Sequence, residues 1–203
     1  MRWLTLALLF LPLALQGQSF GSSQGATTRI PSVDASTNAL NVISYEHHEI
    51  HSGSHYTFTV HDADADVNDT LGFIITTPNT TKWCHLVIDA AGALQTEVTL
   101  RESTTRGLGA LQVDYNNNRN VSDTSQIVIN AMANGGAVGT VIFQDHFGVD
   151  AGTGSQSVFG GGQSRGDSEW ILKQNTKYLI TVESLTADNV VSLKLSFYEH
   201  TNK

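Results

Sequence analysis

Positively charged side chains are scarce in this chain: 11 lysines and arginines stand against 19 aspartates and glutamates, a formal charge of −8 over 203 residues. Nucleic-acid-binding proteins cluster Lys and Arg to neutralise phosphates, and no such cluster occurs in the sequence. Nucleic acid is therefore excluded as the main partner. Charged residues of both signs make up only 15% of the chain. A polar but uncharged surface suits a protein that packs against its own copies or a larger assembly.

Cysteine is limited to Cys84, which excludes an internal disulfide. This residue lies in an apolar run, 83–88, so we expect a buried, inert thiol. The phosphate-binding loop of nucleotide hydrolases and the His-Glu-x-x-His helix of metalloproteases are also absent from the sequence. We therefore expect a protein without catalytic activity and without a resident cofactor.

Long apolar runs are limited to residues 3–15, which are 13 residues long. A membrane-spanning helix needs about 20 apolar residues. With Met1 and Arg2 before it, the run has the layout of a secretory signal. Three explanations stay open: a signal peptide, non-native residues added by an upstream start codon, or an apolar arm buried in an assembly. Residues 18–39, rich in Ser, Thr, Gly and Gln, predict an extended linker or arm.

The remainder, residues 40–203, predicts one all-β domain. Short alternating or apolar runs are separated by turn residues, and no sustained 3.6-residue period occurs. In the last run, Val191, Leu193, Leu195 and Phe197 alternate and are expected to share one face. The pattern predicts an antiparallel β-sandwich of the jelly-roll kind. The predicted strands are 40–49, 55–61, 70–77, 83–89, 95–101, 111–115, 126–132, 138–144, 168–174, 177–184 and 190–200.

Histidines are concentrated near the start of this domain, where four of the eight fall within residues 47–55. In a strand, His47, Glu49 and His51 would share one face and could offer two imidazoles and a carboxylate to zinc or iron. Two other interpretations are hydrogen bonding to a neighbouring strand or subunit and a pH-sensitive contact. We favour the structural interpretation.

Acidic residues alternate in the segment 61–69, where Asp62, Asp64, Asp66 and Asn68 have the spacing that opens a helix–loop–helix calcium site. The match fails further on, because the positions that require glycine and glutamate hold other residues. Calcium binding in an end loop of the sandwich is one hypothesis. The alternative is a solvated turn whose carboxylates are kept apart by water.

Four segments together resemble a family of small virion proteins of tailed bacteriophages. They are Tyr-Glu-His-His-Glu-Ile-His-Ser-Gly-Ser-His-Tyr at 45–56, Thr-Pro-Asn-Thr-Thr-Lys-Trp at 77–83, Tyr-Asn-Asn-Asn-Arg-Asn at 115–120 and Tyr-Glu-His-Thr-Asn-Lys at 198–203. The resemblance covers residues 32–203 and implies a structural or surface role in a virion. It does not specify a position on the particle.

Within that role, our first hypothesis is a protein that decorates and stabilises the exterior of the phage head as a homotrimer, with the major capsid protein and its own copies as partners. Such a protein needs broad self-complementary surface rather than a pocket. The residues expected to contact other subunits or the shell are Tyr45, His47, His48, Glu49, His51, Asn117, Arg119, Tyr198, Glu199 and His200.

Two alternatives stay open. One is a receptor-binding protein at the tail tip or fibre. The other is a secreted adhesin that binds host surface glycans through an end-loop calcium and the segment 148–166, whose seven glycines predict a projecting loop. The signal-like N-terminus favours the adhesin.

Overall fold

The computed structural model describes residues 44–148 and 168–201. The predictions for residues 1–17 and 18–39, and for nearly all of the glycine-rich segment 148–166, lie outside these residues. The described part is an all-β sandwich with one short helix, as the sequence predicted apart from the helix. No helix in the described ranges is long and apolar enough to cross a membrane.

The described residues form one helix and eleven strands, whose bounds follow in chain order. They are α1 (Tyr45–Ser52), β1 (His55–Ala65), β2 (Thr70–Thr76), β3 (Lys82–Gly92), β4 (Thr96–Glu102), β5 (Gly107–Leu111), β6 (Tyr115–Asn116), β7 (Val128–Ala133), β8 (Thr140–Phe147), β9 (Trp170–Leu172), β10 (Lys177–Ser184) and β11 (Asn189–Thr201).

The strands form two antiparallel sheets with the orders β6-β1-β11-β3-β9 and β5-β7-β2-β10-β4-β8. Without β5, β6 and β7, the remaining eight strands read β1-β11-β3-β9 in one sheet and β2-β10-β4-β8 in the other. The first strand thus pairs with the last, and the second pairs with the last but one. Two interleaved Greek keys produce this order, which is that of a jelly roll. The three extra strands lengthen both sheets on the same side of the sandwich.

The core lies between the two sheets. Val191, Leu193, Leu195 and Phe197 face it from β11 and are no more than 1% exposed, which confirms the predicted alternation. Cys84 is also buried in this core, as predicted. Each fully buried side chain of this size contributes about 1.5–3 kcal/mol. Strand β11 is thereby tied to the core along most of its length.

The predicted strand 40–49 is wrong in its described part, because Tyr45–Ser52 is the helix α1. Ser44 is the N-cap, and its hydroxyl accepts a hydrogen bond from the backbone N–H of His47. Gly53 ends the helix in the left-handed conformation, with φ at 80°. These two caps, rather than an apolar stripe, define the helix. The expectation that His47, Glu49 and His51 share a strand face is wrong for the same reason.

A second difference concerns β5, because residues 107–110 of this strand lie between the predicted strands 95–101 and 111–115. Gly109 in this strand lies so close to β7 that an added Cβ would be 2.9 Å from the carbonyl oxygen of Ala131. The glycine at this position permits the close approach of two strands.

Candidate functional site

The four segments that carry the phage resemblance meet at one end of the sandwich. The side-chain amide of Asn116 donates to the carbonyl of Gly53 at 2.7 Å, which joins the asparagine-rich segment to the end of α1. The backbone N–H of Glu199 donates to the carbonyl of Ser54 at 3.0 Å. Trp83 lies opposite His200 in the pairing of β3 with β11. The region that the sequence singled out is thus one connected structure.

An aromatic and polar cluster occupies the outer face of the five-stranded sheet at this end. The register places His55 on β1 and His85 on β3 on either side of Tyr198 on β11. The ring of Tyr198 stacks on that of His85 with centroids 4.6 Å apart and on that of His55 at 6.4 Å. We call His55, His85, Tyr198 and His200, with Glu169, the histidine cluster.

Glu169 connects two members of the histidine cluster. Its Oε1 accepts a hydrogen bond from the hydroxyl of Tyr198 at 2.8 Å and contacts Nδ1 of His85. A carboxylate is an acceptor only, so Nδ1 of His85 carries the proton. This arrangement fixes the ring of His85, which is 8% exposed. His55, His85 and Glu169 were not among the predicted site residues.

The surroundings of His200 in the histidine cluster lower its pKa. Burial lowers its pKa below the usual value, and the nearby His85 lowers it further, whereas Glu49 and Glu169 act weakly in the opposite direction. The neutral imidazole is therefore favoured in the folded protein.

We predict that acid weakens the fold partly through His200. The unfolded chain takes up a proton at about pH 6.5, whereas the folded chain takes it up only at lower pH, so stability falls as the pH drops through this interval. Replacing His200 with Gln should flatten the fall in unfolding free energy between pH 7 and pH 5, measured by urea denaturation. His61→Gln, at an exposed position on β1, is the matched control. Equal slopes for His200→Gln and the wild type would contradict the assignment.

Glu199 was predicted as a contact residue, but it is 3% exposed and faces inward from β11. Its carboxylate accepts hydrogen bonds from the backbone N–H groups of Gln126 and Ile127, each at 2.9 Å, and from the hydroxyl of Ser125 at 3.1 Å. These bonds hold the loop before β7. The side chain thus supports the fold from within.

Replacing Glu199 with Leu should cost about 2–5 kcal/mol of stability, because the buried N–H of Ile127 and the half-buried N–H of Gln126 lose their carboxylate acceptor. Glu199→Gln should cost less, since one carbonyl oxygen stays available. Chemical denaturation measures both losses. The matched control is Glu183→Leu, a half-buried glutamate on β10; a loss no larger than that of the control would refute the role of Glu199.

The other predicted contact residues divide into buried and exposed groups. Glu49 and Tyr198 are buried, and their side chains contact other residues of this chain. The exposed ones are His47, His48, His51, Asn117 and Arg119, while His200 is half-buried. The side chain of Tyr45 lies outside what the structure describes. The exposed group is accessible to a partner.

A polar cleft of about 260 Å³ opens beside the asparagine-rich segment. Tyr56 lies in its lining, and burial together with Glu199, Asp123 and Asp114 raises the pKa of this phenol to about 12. Burial also raises the pKa of Asp114, against the opposite effect of a backbone hydrogen bond. At the rim, the guanidinium carbon of Arg119 lies 5.7 Å from the ring centre of Tyr115. The cleft offers carboxylates, hydroxyls and one cation.

The predicted calcium ligands lie at the end of β1 and in the turn to β2. Asp62 accepts a hydrogen bond from the backbone N–H of Asp64 at 3.1 Å, and that of Asp66 donates to Asp69. Asn68 has a positive φ of 69°. Within residues 44–148 and 168–201, no group of three or more His, Cys, Asp or Glu is placed to hold a metal ion. The structure therefore does not bring these carboxylates together around an ion.

An apolar surface lies on the side of the sandwich that carries the three extra strands β5, β6 and β7. Its members are between 42% and 67% exposed: Leu108, Leu111, Val113 and Val128. Strand β7, which carries Val128, runs beside this segment, because the backbone N–H of Gln112 donates to the carbonyl of Ile129 at 2.8 Å. We call these four residues the β5–β7 edge.

Comparison of the chain with protein-family models, curated proteins and solved structures finds no match.

Proposed function

We propose that the chain is a non-enzymatic structural protein of a tailed-phage virion, and that its jelly roll associates with other copies through the β5–β7 edge. The observation that carries the proposal is the exposure of four large aliphatic side chains along one side of the sandwich. Contiguous exposed apolar surface marks a site of protein association. The phage resemblance supports the virion as its setting.

The edge strand itself supports association. Soluble proteins protect an open sheet edge with charged residues, proline or a covering segment. Strand β5 has the sequence Gly-Leu-Gly-Ala-Leu, with no charge and no proline. Depletion of charged side chains is also the compositional mark of the centre of an interface. A second copy that covers this edge would remove apolar surface from water.

Within the virion, we propose the exterior of the head as the location and a homotrimer as the assembly, with the major capsid protein as the shell partner. A decoration protein acts by touching several neighbours, which requires more than one surface. The exposed residues of α1 and of the asparagine-rich segment, His48, Asn117 and Arg119 among them, provide a second surface for the shell.

Replacing Val128 or Leu111 with Lys should weaken self-association at least about tenfold, because a charge would be buried at the centre of the interface. Sedimentation velocity over a range of concentrations measures the dissociation constant. Val67→Lys is the matched control, since Val67 is an equally exposed valine, 50% against 42%, in a turn away from this edge. A wild-type protein that stays monomeric, or equal effects of Val67→Lys and Val128→Lys, would overturn the proposal.

The second candidate is a receptor-binding protein at the phage tail, and the polar cleft beside Tyr115 and Arg119 favours it. Mixed donors and acceptors next to an exposed aromatic ring suit the hydroxyls and the C–H face of a sugar. A host surface glycan is the ligand that this candidate implies.

Counting copies per particle separates the two candidates. We expect quantitative mass spectrometry of purified virions to find hundreds of copies, as a head decoration requires. A few copies per particle would favour the tail. Absence of the chain from purified virions would refute both.

A further inference from the structure

Helix α1 carries two histidines whose side chains meet on its exposed surface. His47 and His51 are four residues apart, so they lie on the same face, one turn apart. Their Nε2 atoms are 2.8 Å apart, whereas their ring centroids are 4.7 Å apart with an interplanar angle of 24°. The two rings therefore converge at their Nε2 ends. Both side chains are exposed to solvent.

We propose that His47 and His51 form a two-histidine chelate for a divalent transition-metal ion, with Cu²⁺ and Ni²⁺ as the best-fitting ions. In the absence of an ion, one imidazole donates its Nε2 proton to the other. Binding requires the donor ring to move its proton from Nε2 to Nδ1, so that both neutral imidazoles present an Nε2 lone pair to the metal and no net proton is released. Water or a group from another molecule completes the coordination.

The separation of the two nitrogens selects among ions. With metal–nitrogen bonds of about 2.0–2.1 Å, nitrogens 2.8 Å apart subtend about 86° at the ion. This is close to the right angle between neighbouring ligands in square-planar or octahedral geometry, which Cu²⁺ and Ni²⁺ prefer. A tetrahedral zinc site would require the nitrogens to separate to about 3.3 Å. Zn²⁺ should therefore bind more weakly.

The site differs from the ligand set that the sequence suggested. Glu49, expected to join these two histidines, is 5% exposed and makes its contacts with Ser52 and His48. The structure thus indicates a two-ligand site on a helix instead of the three-ligand site on a strand that the sequence suggested. This inference does not depend on the β5–β7 edge, so the failure of either proposal leaves the other intact.

An ion bound by His47 and His51 stabilises helix α1. An eight-residue helix is too short to be stable by itself in water. An ion held by residues one turn apart binds only the helical form, so it stabilises α1 by mass action.

The test is isothermal titration calorimetry of the untagged full chain with Cu²⁺, Ni²⁺ and Zn²⁺ separately. We expect one site, with affinity in the order Cu²⁺, Ni²⁺, Zn²⁺. His47→Ala and His51→Ala should each weaken Ni²⁺ binding at least about tenfold, since one ligand is lost. His61→Ala is the matched control, because it removes an exposed histidine on β1, outside the helix, and should leave the affinity unchanged.

A second readout is spectroscopic. Electron paramagnetic resonance of the Cu²⁺ complex should show coupling to two imidazole nitrogens in the wild type and to one in either single variant. Circular dichroism establishes that each variant is folded. The proposal is overturned if His61→Ala weakens binding as much as His47→Ala, or if the wild type binds Ni²⁺ no more tightly than the double variant His47→Ala/His51→Ala.

Discussion

The buried carboxylate of Glu199 is the interaction on which one end of the sandwich depends. The carboxylate accepts hydrogen bonds from the backbone N–H groups of Gln126 and Ile127. The backbone N–H of Glu199 itself donates to the carbonyl of Ser54. A carboxylate removed from water without such donors would cost several kcal/mol. The end of α1, the loop before β7 and the last strand are therefore held in one arrangement. The same bonds fix the end of β11 whose outer face carries the histidine cluster.

This constraint explains why the segments behind the phage resemblance are neighbours in the fold. Asn116 is buried and holds Gly53, while Tyr198 is fixed between two imidazoles. Such residues support the packing of one end of the sandwich. The residues beside them that are exposed, such as His48 and Arg119, are the ones accessible to another molecule.

Regular alternation made most of the fold predictable, whereas capped and long-range features were not. Strand β10 was predicted with its observed bounds, and the inward side chains of β11 were correct. Helix α1 was missed because its signals are Ser44 and Gly53 rather than an apolar period. His85 and Glu169 are 84 residues apart in sequence, and they meet because β3 pairs with β9, which begins at the residue after Glu169. Spacing along a chain carries no information about such a pair.

The two proposed surfaces place different demands on the same rigid frame. The β5–β7 edge offers apolar area and an uncharged strand, so its association gains free energy chiefly by removing hydrocarbon from water. The pair His47 and His51 offers two directed lone pairs, whose strength depends on the angle at the ion rather than on area. The hydrogen bond from Glu199 to Ser54 fixes the end of α1 to β11. An ion bound to the helix and a second copy bound at the β5–β7 edge would therefore bind the same rigid domain without a change in its shape. In the proposed function, the jelly roll contacts other molecules through these two surfaces and requires no deep pocket, and its end is closed by a buried hydrogen-bond network.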